Sequence, residues 1–162
     1  MTDRVRTEQL RRSLCAAALV TAAALLSAPA QAGQCPDDKV SPGARTTGEM
    51  TPKDVTDNVL GQVELGQEKV NLADRRLRLR KLVVQPGGIV PWHSHDDRPA
   101  LIYVQQGEIV EYASNCEVPI THKAGEIRPE VSGTSHWWKN LGKETVILYV
   151  GDVRKDPHDH NM

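Results

Sequence analysis

From Leu77 onward, the apolar residues of this 162-residue chain come in short runs separated by turn residues. Val, Ile, Leu and Tyr dominate these runs, and glycines fall between them, as is typical of strands. No stretch after Lys53 has an extended 3.6-residue periodicity. The pattern predicts an all-β sandwich or barrel. Its predicted strands lie near residues 59–65, 77–85, 89–93, 100–105, 108–113, 118–121, 126–128, 134–139 and 145–152.

The first 32 residues are typical of a secretory signal. Four arginines precede an uncharged, Ala- and Leu-rich stretch, Leu14 to Leu26, and Ala30-Gln31-Ala32 offers small residues for signal peptidase. A membrane anchor is the alternative, but these 13 residues are fewer than the roughly 20 that a bilayer core requires. We expect cleavage after Ala32 and a periplasmic or secreted protein. Arg11-Arg12 partly fits a twin-arginine signal, so the export route is left open.

The remainder of the chain divides into three parts. Residues 33–55 are rich in Pro, Gly, Thr and charge, which predicts an irregular N-terminal arm. Residues 56–154 form the predicted barrel, and residues 155–162 are a predicted flexible tail. We therefore expect a single folded domain after the signal.

The cysteines give a second indication of the compartment. Cys15 is lost with the signal, which leaves Cys35 and Cys116 in a protein bound for an oxidising environment. A disulfide between them is expected, and it would tie the arm to the barrel. The alternatives are two unpaired cysteines or a lipid-modified Cys35.

The charge balance argues against several kinds of partner. Of 20 Lys and Arg and 21 Asp and Glu, four and two lie in residues 1–32, which leaves 16 against 19. A balance near −3 suggests no nucleic-acid partner and, after signal cleavage, no membrane partner.

His93 and His95 are the first candidate metal ligands. Side chains two residues apart on a strand point the same way, so both imidazoles can face one ion while Trp92 and Ser94 face away. A His-x-His pair alone is weak evidence, and the tail contains another at His158 and His160.

The surroundings of this pair resemble the two motifs of the cupin family. The spacing of the first motif is met at Gly87, His93, His95 and Gly107, and that of the second at Gly125, Gly133, His136 and Asn140. The resemblance covers about residues 77–152. It implies a single jelly-roll β-barrel that holds one divalent metal ion, Fe, Zn, Mn or Ni.

Two departures from the cupin motifs bear on the metal. Pro99 and Ala100 stand where the family has a glutamate ligand, and Val131 replaces a proline. The remaining ligand set, His93, His95 and His136, resembles that of cupin dioxygenases without the glutamate. Asp96 or Asp97 is an alternative source of a carboxylate.

Strand alternation also predicts a small apolar pocket around the metal. The residues expected to face inward are Ala100, Ile102, Val104, Trp138 and Asn140. His122 is expected at the surface, and Arg98, Glu108 and Lys139 are expected to be solvated or lightly paired.

Three functions are compatible with this site. An exported protein that binds a metal and a small molecule is the first, and an iron-dependent oxygenase acting on a small organic substrate is the second. An isomerase or hydrolase is the third, but no acid or base is evident beside the metal. A homodimer is the expected assembly, by resemblance to cupins.

Overall fold

The computed structural model describes residues 33–155, so the predicted signal and the tail after Lys155 lie outside it. Within these residues, none of the helical segments is long and apolar enough to cross a bilayer. Two short 3-10 turns occur at Asp37–Lys39 and Leu65–Gln67. The strands are β1 (Lys53–Glu64), β2 (Arg76–Ser94), β3 (Ala100–Gln106), β4 (Glu108–Ala113), β5 (Ile120–Lys123), β6 (Ile127–Glu130), β7 (Ser135–Lys139) and β8 (Val146–Arg154).

All eight strands belong to one curled antiparallel sheet. Its order is β5-β4-β7-β2-β8-β3-β6, and β1 pairs with β2 beside this path. The predicted all-β barrel of short strands is confirmed. Strand β1 begins at Lys53, six residues before the predicted strand, and so includes the last three residues of the expected arm.

Strand β2 is the longest strand, and its two halves pair with different strands of the barrel. Its first half, Arg76–Val84, pairs with β8, whereas Ile89 to Ser94 pair with β7. The change of partner follows Gly87, whose φ of +77° is readily adopted by glycine. The two predicted strands 77–85 and 89–93 are therefore one bent strand, which brings its histidine-bearing end against β7.

The interior follows the predicted alternation. On β3, Ala100, Ile102 and Val104 are buried while Leu101 and Tyr103 face solvent. Trp138 is buried on β7, and its neighbour Trp137 is half-buried and stacks on Tyr112 with 4.1 Å between ring centroids. Ala100, Ile102, Val104 and Trp138 belong to a largely aliphatic core. Its other members are Leu82, Val84, Val90, Ile109, Val146, Leu148 and Val150.

The arm before β1 is attached to the barrel by covalent and polar contacts. Cys35 and Cys116 form a disulfide, as predicted. Arg45 donates hydrogen bonds to the carbonyls of Ala113 (3.1 Å) and Glu117 (2.9 Å). The arm thus lies against the β4–β5 end of the barrel.

Candidate metal centre

Three histidines from two neighbouring strands meet inside the barrel. His93 lies on β2 opposite His136 of β7, and His95 follows directly after the end of β2. All three side chains are buried. The structure therefore brings the three predicted ligands together.

The three Nε2 atoms form a nearly equilateral triangle. The separations are 3.1 Å between His93 and His95, 2.9 Å between His95 and His136, and 3.1 Å between His136 and His93. Three imidazole nitrogens bound at about 2.0–2.1 Å to one ion lie about 3 Å apart, so the triangle has the size that a metal requires.

Each ring is oriented by its other nitrogen. Nδ1 of His93 donates to the Pro91 carbonyl at 2.8 Å, and Nδ1 of His95 donates to the Arg98 carbonyl at 2.7 Å. Nδ1 of His136 donates to Oε1 of Glu111 at 2.7 Å. Because a neutral imidazole carries one proton, these bonds leave all three Nε2 atoms unprotonated, each with a lone pair that can bind a metal. The indole Nε1 of Trp138 also lies 3.3 Å from Nε2 of His136.

The environment of the triangle also keeps the rings neutral. Burial, followed by repulsion from the protonated form of His136, lowers the pKa of His95 to about 3. The same two causes lower the pKa of His93 well below its usual value. Three lone pairs that face one another at about 3 Å repel unless a cation lies among them, so the donor set fits a divalent metal.

Behind His136 lies a buried polar network that sequence reasoning missed. Glu111 of β4 also accepts a hydrogen bond from Nε2 of His122 (2.8 Å). Oε1 of Glu130 lies 3.6 Å from Nδ1 of His136, on the side away from the Nε2 triangle. Nε of Arg128 lies 3.3 Å from an oxygen of each glutamate.

The two glutamates differ in their tendency to ionise. Burial opposes ionisation of Glu111, but the hydrogen bonds from His122 and His136 outweigh it and lower its pKa. Burial raises the pKa of Glu130 to about 7, although attraction to the protonated form of His136 acts against this shift. Glu111 is therefore the carboxylate that holds His136, and both glutamates lie behind that ring rather than beside the three Nε2 atoms.

Strand phase is the signal that could have revealed these residues. Glu111 shares its phase on β4 with buried Ile109 and Ala113, and His122 shares its phase on β5 with buried Ile120. The expectation that His122 lies at the surface is wrong, because its ring is buried and stacks on Trp138 with 4.6 Å between centroids.

Other predicted polar residues take structural positions. Arg98 is buried rather than solvated. Asp96 does not turn towards the histidines, because its Oδ1 accepts the backbone N–H of Gly133 at 2.7 Å. Asp97 is exposed and lies 3.7 Å from Arg75. Glu108 is exposed, as expected, and lies 3.8 Å from Lys123.

A cavity of about 20 Å³ adjoins the triangle and includes His93 in its wall. Of the predicted pocket residues, Ile102 and Trp138 line it. Ala100 and Val104 pack in the core instead. Asn140 donates to the carbonyls of Val84 (3.0 Å) and Glu144 (2.8 Å), so its amide secures the β7–β8 connection.

Comparison with known proteins agrees with this architecture. Residues 80–151 match the family model described as "Cupin domain". A predicted oxalate decarboxylase of Thermotoga maritima superimposes with a TM-score of 0.51 and 19% identity over 75% of this chain and 98% of that one. TT1209 of Thermus thermophilus has a TM-score of 0.50 and 18% identity, over 68% of this chain and 91% of that one.

An oxalate oxidase in complex with the substrate analogue glycolate is similar at the same level. Its TM-score is 0.50 with 20% identity, over 69% of this chain and 57% of that one. At such identities the likeness concerns the fold alone. No curated protein sequence matches the chain significantly.

Proposed function

From the match of residues 80–151 to the cupin domain model, we propose that this protein is an exported cupin that binds one divalent metal ion and a small molecule beside it. The ligands are His93, His95 and His136. The small molecule occupies the cavity whose wall contains His93. The single observation that carries the proposal is the triangle of three unprotonated Nε2 atoms.

The residues around the triangle prepare it for a metal. The Pro91 and Arg98 carbonyls and the Glu111 carboxylate fix each ring with Nε2 turned inward, so little ordering is needed on binding. A bound ion would supply Lewis acidity and open coordination positions. The apolar walls of the cavity limit the entry of water to those positions.

The ligand chemistry restricts the metal without naming it. Imidazole suits Zn, Fe and Ni, and a neutral three-histidine set with open positions also accommodates Mn. Affinity follows the Irving–Williams order, so copper or zinc will displace a weaker-binding native metal during purification. Protein taken from its native compartment under anaerobic conditions is therefore the proper sample.

The proposal of export draws on two separate features. Residues 1–32 have the composition of a signal, and the Cys35–Cys116 disulfide suits an oxidising compartment. A single N-terminal sequence determination on protein from the periplasm tests it, and we expect the chain to begin at Gly33. An N-terminus at Met1 would refute cleavage.

An iron-dependent dioxygenase acting on a small organic substrate is the second candidate. The observation that favours it is the ligand set itself, because three neutral histidines leave the charge and the remaining coordination positions of a ferrous ion available. A binding protein would use the same residues. Turnover, and not geometry, separates the two functions.

The deciding experiment combines metal analysis with oxygen uptake. Anaerobically purified protein and a His93→Ala variant are analysed for metal, and uptake is then followed with thiols, diketones and phenolic acids. One metal per chain that is lost in the variant supports the site. Iron with oxygen uptake identifies a dioxygenase, whereas zinc, manganese or nickel without uptake identifies a binding protein.

A further inference from the structure

Gly33, with which the mature chain would begin after cleavage at Ala32, lies against the barrel. Its backbone nitrogen donates a hydrogen bond to Oε2 of Glu126 at 3.1 Å. Glu126 lies in the short connection between β5 and β6, 93 positions further along the chain. The residue that signal cleavage would expose is therefore already in contact with a carboxylate of the folded domain.

The contact at Gly33 is so close that only glycine fits. A Cβ at this position would lie 2.1 Å from the carbonyl oxygen of Thr121 and 3.2 Å from Nδ1 of His122. Both of these residues belong to β5, the last strand at one end of the sheet. Any other residue at position 33 would push the arm away from that strand, so the backbone of Gly33 is fitted to it.

The disulfide limits how far Gly33 can move from this position. Cys35 is bonded to Cys116, and two residues of extended chain span about 7 Å at most. On the other side of Cys35, the carbonyl of Lys39 accepts the backbone N–H of Glu117 at 3.0 Å. A chain end held this closely meets Glu126 at a high effective concentration.

The carboxylate of Glu126 is fixed in place but lacks a cation. Its Oε2 also accepts the backbone N–H of Lys123 at 2.9 Å, and the backbone N–H of Glu126 donates to the Lys123 carbonyl at 3.0 Å. Within residues 33–155, no basic side chain pairs with it, since Lys123 lies 3.8 Å from Glu108 instead. Gly33 and Glu126 are both half-buried, so a charge at Gly33 would be screened less than at an open surface.

A second acceptor beside Gly33 lacks a donor. Nε2 of His122 donates to Glu111 at 2.8 Å, so Nδ1 of the neutral ring is an acceptor. That nitrogen is buried and has no hydrogen-bond partner in the part of the chain that the structure describes. A buried acceptor without a donor is unfavourable, and an additional N–H group at Gly33 would lie next to it.

Cleavage before Gly33 would change the donor at this position. In the uncleaved chain, the amide of Gly33 carries one N–H and no charge. The α-ammonium of the cleaved chain carries three N–H groups and a positive charge, and a charge-assisted hydrogen bond is roughly twice as strong as a neutral one. The two additional N–H groups have the Thr121 carbonyl and Nδ1 of His122 as neighbouring acceptors.

We propose that Glu126 is the binding site for the α-ammonium group of the mature chain, and that removal of the signal thereby fixes the start of the arm on β5. The ligand is a primary ammonium, which Gly33 supplies. The uncleaved chain makes only the neutral hydrogen bond, so the arm covers His122 more firmly after export than before. This inference rests on the proposed cleavage after Ala32.

Four metal-free proteins test the proposal by their unfolding temperatures. Chains that begin at Gly33 or at Gln31 are each prepared with and without Glu126→Gln. The start at Gln31 moves the ammonium two residues away from Glu126, and glutamine keeps an acceptor oxygen for the Lys123 N–H. The chain that begins at Gly33 should unfold about 2–5 °C higher than the chain that begins at Gln31, and Glu126→Gln should abolish this difference.

Glu108→Gln is the matched control for the charge change. It removes an exposed carboxylate that is paired with Lys123, close to the same turn, and should leave the difference between the two chains intact. The dependence on pH gives a second readout. An ammonium paired with a carboxylate stays charged above the ordinary α-amino pKa of about 7.7–8.0, so the difference should be complete at pH 7 and lost well above pH 8.

Labelling of the α-amine replaces the variant if Glu126→Gln does not fold. A reagent selective for α-amines should react about tenfold more slowly at pH 7 with the chain that begins at Gly33 than with the chain that begins at Gln31. The reason is that the Glu126 carboxylate keeps the Gly33 amine protonated. Equal reaction rates would overturn the proposal.

The remaining outcomes separate this inference from the proposed cleavage. Equal unfolding temperatures of the two chains, or a difference that persists in Glu126→Gln, would overturn the ammonium site. N-terminal sequencing of the native protein is done in parallel. A native chain that begins elsewhere refutes the cleavage and this inference with it, whereas a native start at Gly33 with equal unfolding temperatures overturns the inference alone.

Discussion

At the scale of single residues, the site depends on nitrogen atoms that never touch the proposed metal. Each Nδ1 donates to a fixed acceptor, and only one of these acceptors, Glu111, is a side chain. Backbone carbonyls are insensitive to substitution at their own residues. Glu111 is therefore the support that mutation can remove.

Replacing His136 tests the ligand set. His136→Ala removes one of three converging donors, and we expect stoichiometric metal to be lost while the β-rich circular dichroism spectrum is retained. His122→Gln is the matched control, because His122 contacts Glu111 but offers no atom to the triangle. Equal metal content in both variants would contradict the assignment.

Replacing Glu111 tests its supporting role. Glu111→Gln removes the carboxylate that accepts from His136, and the metal dissociation constant should rise about 10- to 100-fold. Competition with a coloured chelator measures this constant. Glu108→Gln, at an exposed position of the same strand, should have no effect.

Acid should destabilise the metal-free protein. The pKa of His95 is about 3 in the folded state, below its ordinary value of 6.5, and that of His93 is also lowered. Between pH 3 and pH 6.5 these histidines bind more protons in the unfolded chain than in the folded protein. The free energy of unfolding therefore falls as the pH decreases below about 6.5. His95 contributes about 1.4 kcal/mol per pH unit, and His93 adds to the loss in the same direction.

Glu130 acts in the opposite direction. Its raised pKa of about 7 contributes stability below the ordinary value of 4.5, and this contribution is lost as pH rises through 7. Because two histidines act against one glutamate, the free energy of unfolding should fall from pH 6 to pH 5. Urea unfolding of the metal-free protein at these values measures it, and a flat or rising profile would contradict the shifts.

The sequence contained enough information to find the ligands but not their supports. His93, His95 and His136 were predicted from motif spacing, which can be recognised in the sequence without knowledge of strand pairing. Glu111, His122 and Arg128 come from three strands, and only the pairing of β4 with β5 and β7 brings Glu111 to the two histidines. Without that register, a buried glutamate on a strand has no identifiable partner.

At the scale of elements, the attachment of the arm is the feature most open to test. The disulfide spans 81 residues of sequence, and closing a loop of that length stabilises the folded state by about 4–5 kcal/mol in the chain-entropy treatment. Cys116→Ser should lower the free energy of unfolding by this order. Urea unfolding measures the loss, and a change below about 1 kcal/mol would show that the arm contributes little.

Cys35→Ser provides the control for that measurement. Cys116 is fully buried in a small cluster with Ala113 and Ile120, whereas Cys35 is only partly buried against it. Loss of the bond is common to both variants, and loss of core packing is greater for Cys116→Ser. A smaller effect for Cys35→Ser would measure the packing contribution.

Element boundaries show where periodicity was insufficient. Gly87 and Gly88 indicated a break between two strands, yet the backbone continues through them as one strand, β2. The two halves of β2 pair with different neighbours, β8 before the glycines and β7 after them. The start of β1 at Lys53 was missed because residues 53–58 are polar and exposed at most positions. Pairing with β2, and not burial of its own side chains, makes this segment a strand.

At the scale of the whole molecule, metal binding should be visible as stability. An ion that binds only the folded state adds about 2.7 kcal/mol when its free concentration is 100 times the dissociation constant. The unfolding temperature should therefore rise by several degrees on addition of zinc to metal-free protein. His93→Ala should remove the rise, and a rise that persists in the variant would indicate binding elsewhere.

The interior of the barrel combines an apolar core with buried ion pairs, and only the first was predictable. Aliphatic alternation on β3 and β8 identifies the core directly. The ion pairs of Arg78 and Arg80 with Asp152 join residues more than 70 positions apart in sequence, and a charged residue on a strand is ordinarily expected outside. Their burial becomes evident only when β2 and β8 are paired.

Trp138 gives the protein an optical probe of its own centre. The indole Nε1 lies 3.2 Å from Nδ1 and 3.3 Å from Nε2 of His136, its ring stacks on His122, and it forms part of the cavity wall. A buried indole emits at short wavelength, and an electron-accepting or paramagnetic ion at contact distance shortens its excited-state lifetime. The occupancy of the site can therefore be followed by emission in unlabelled protein, with Trp92 and Trp137 as the more exposed background.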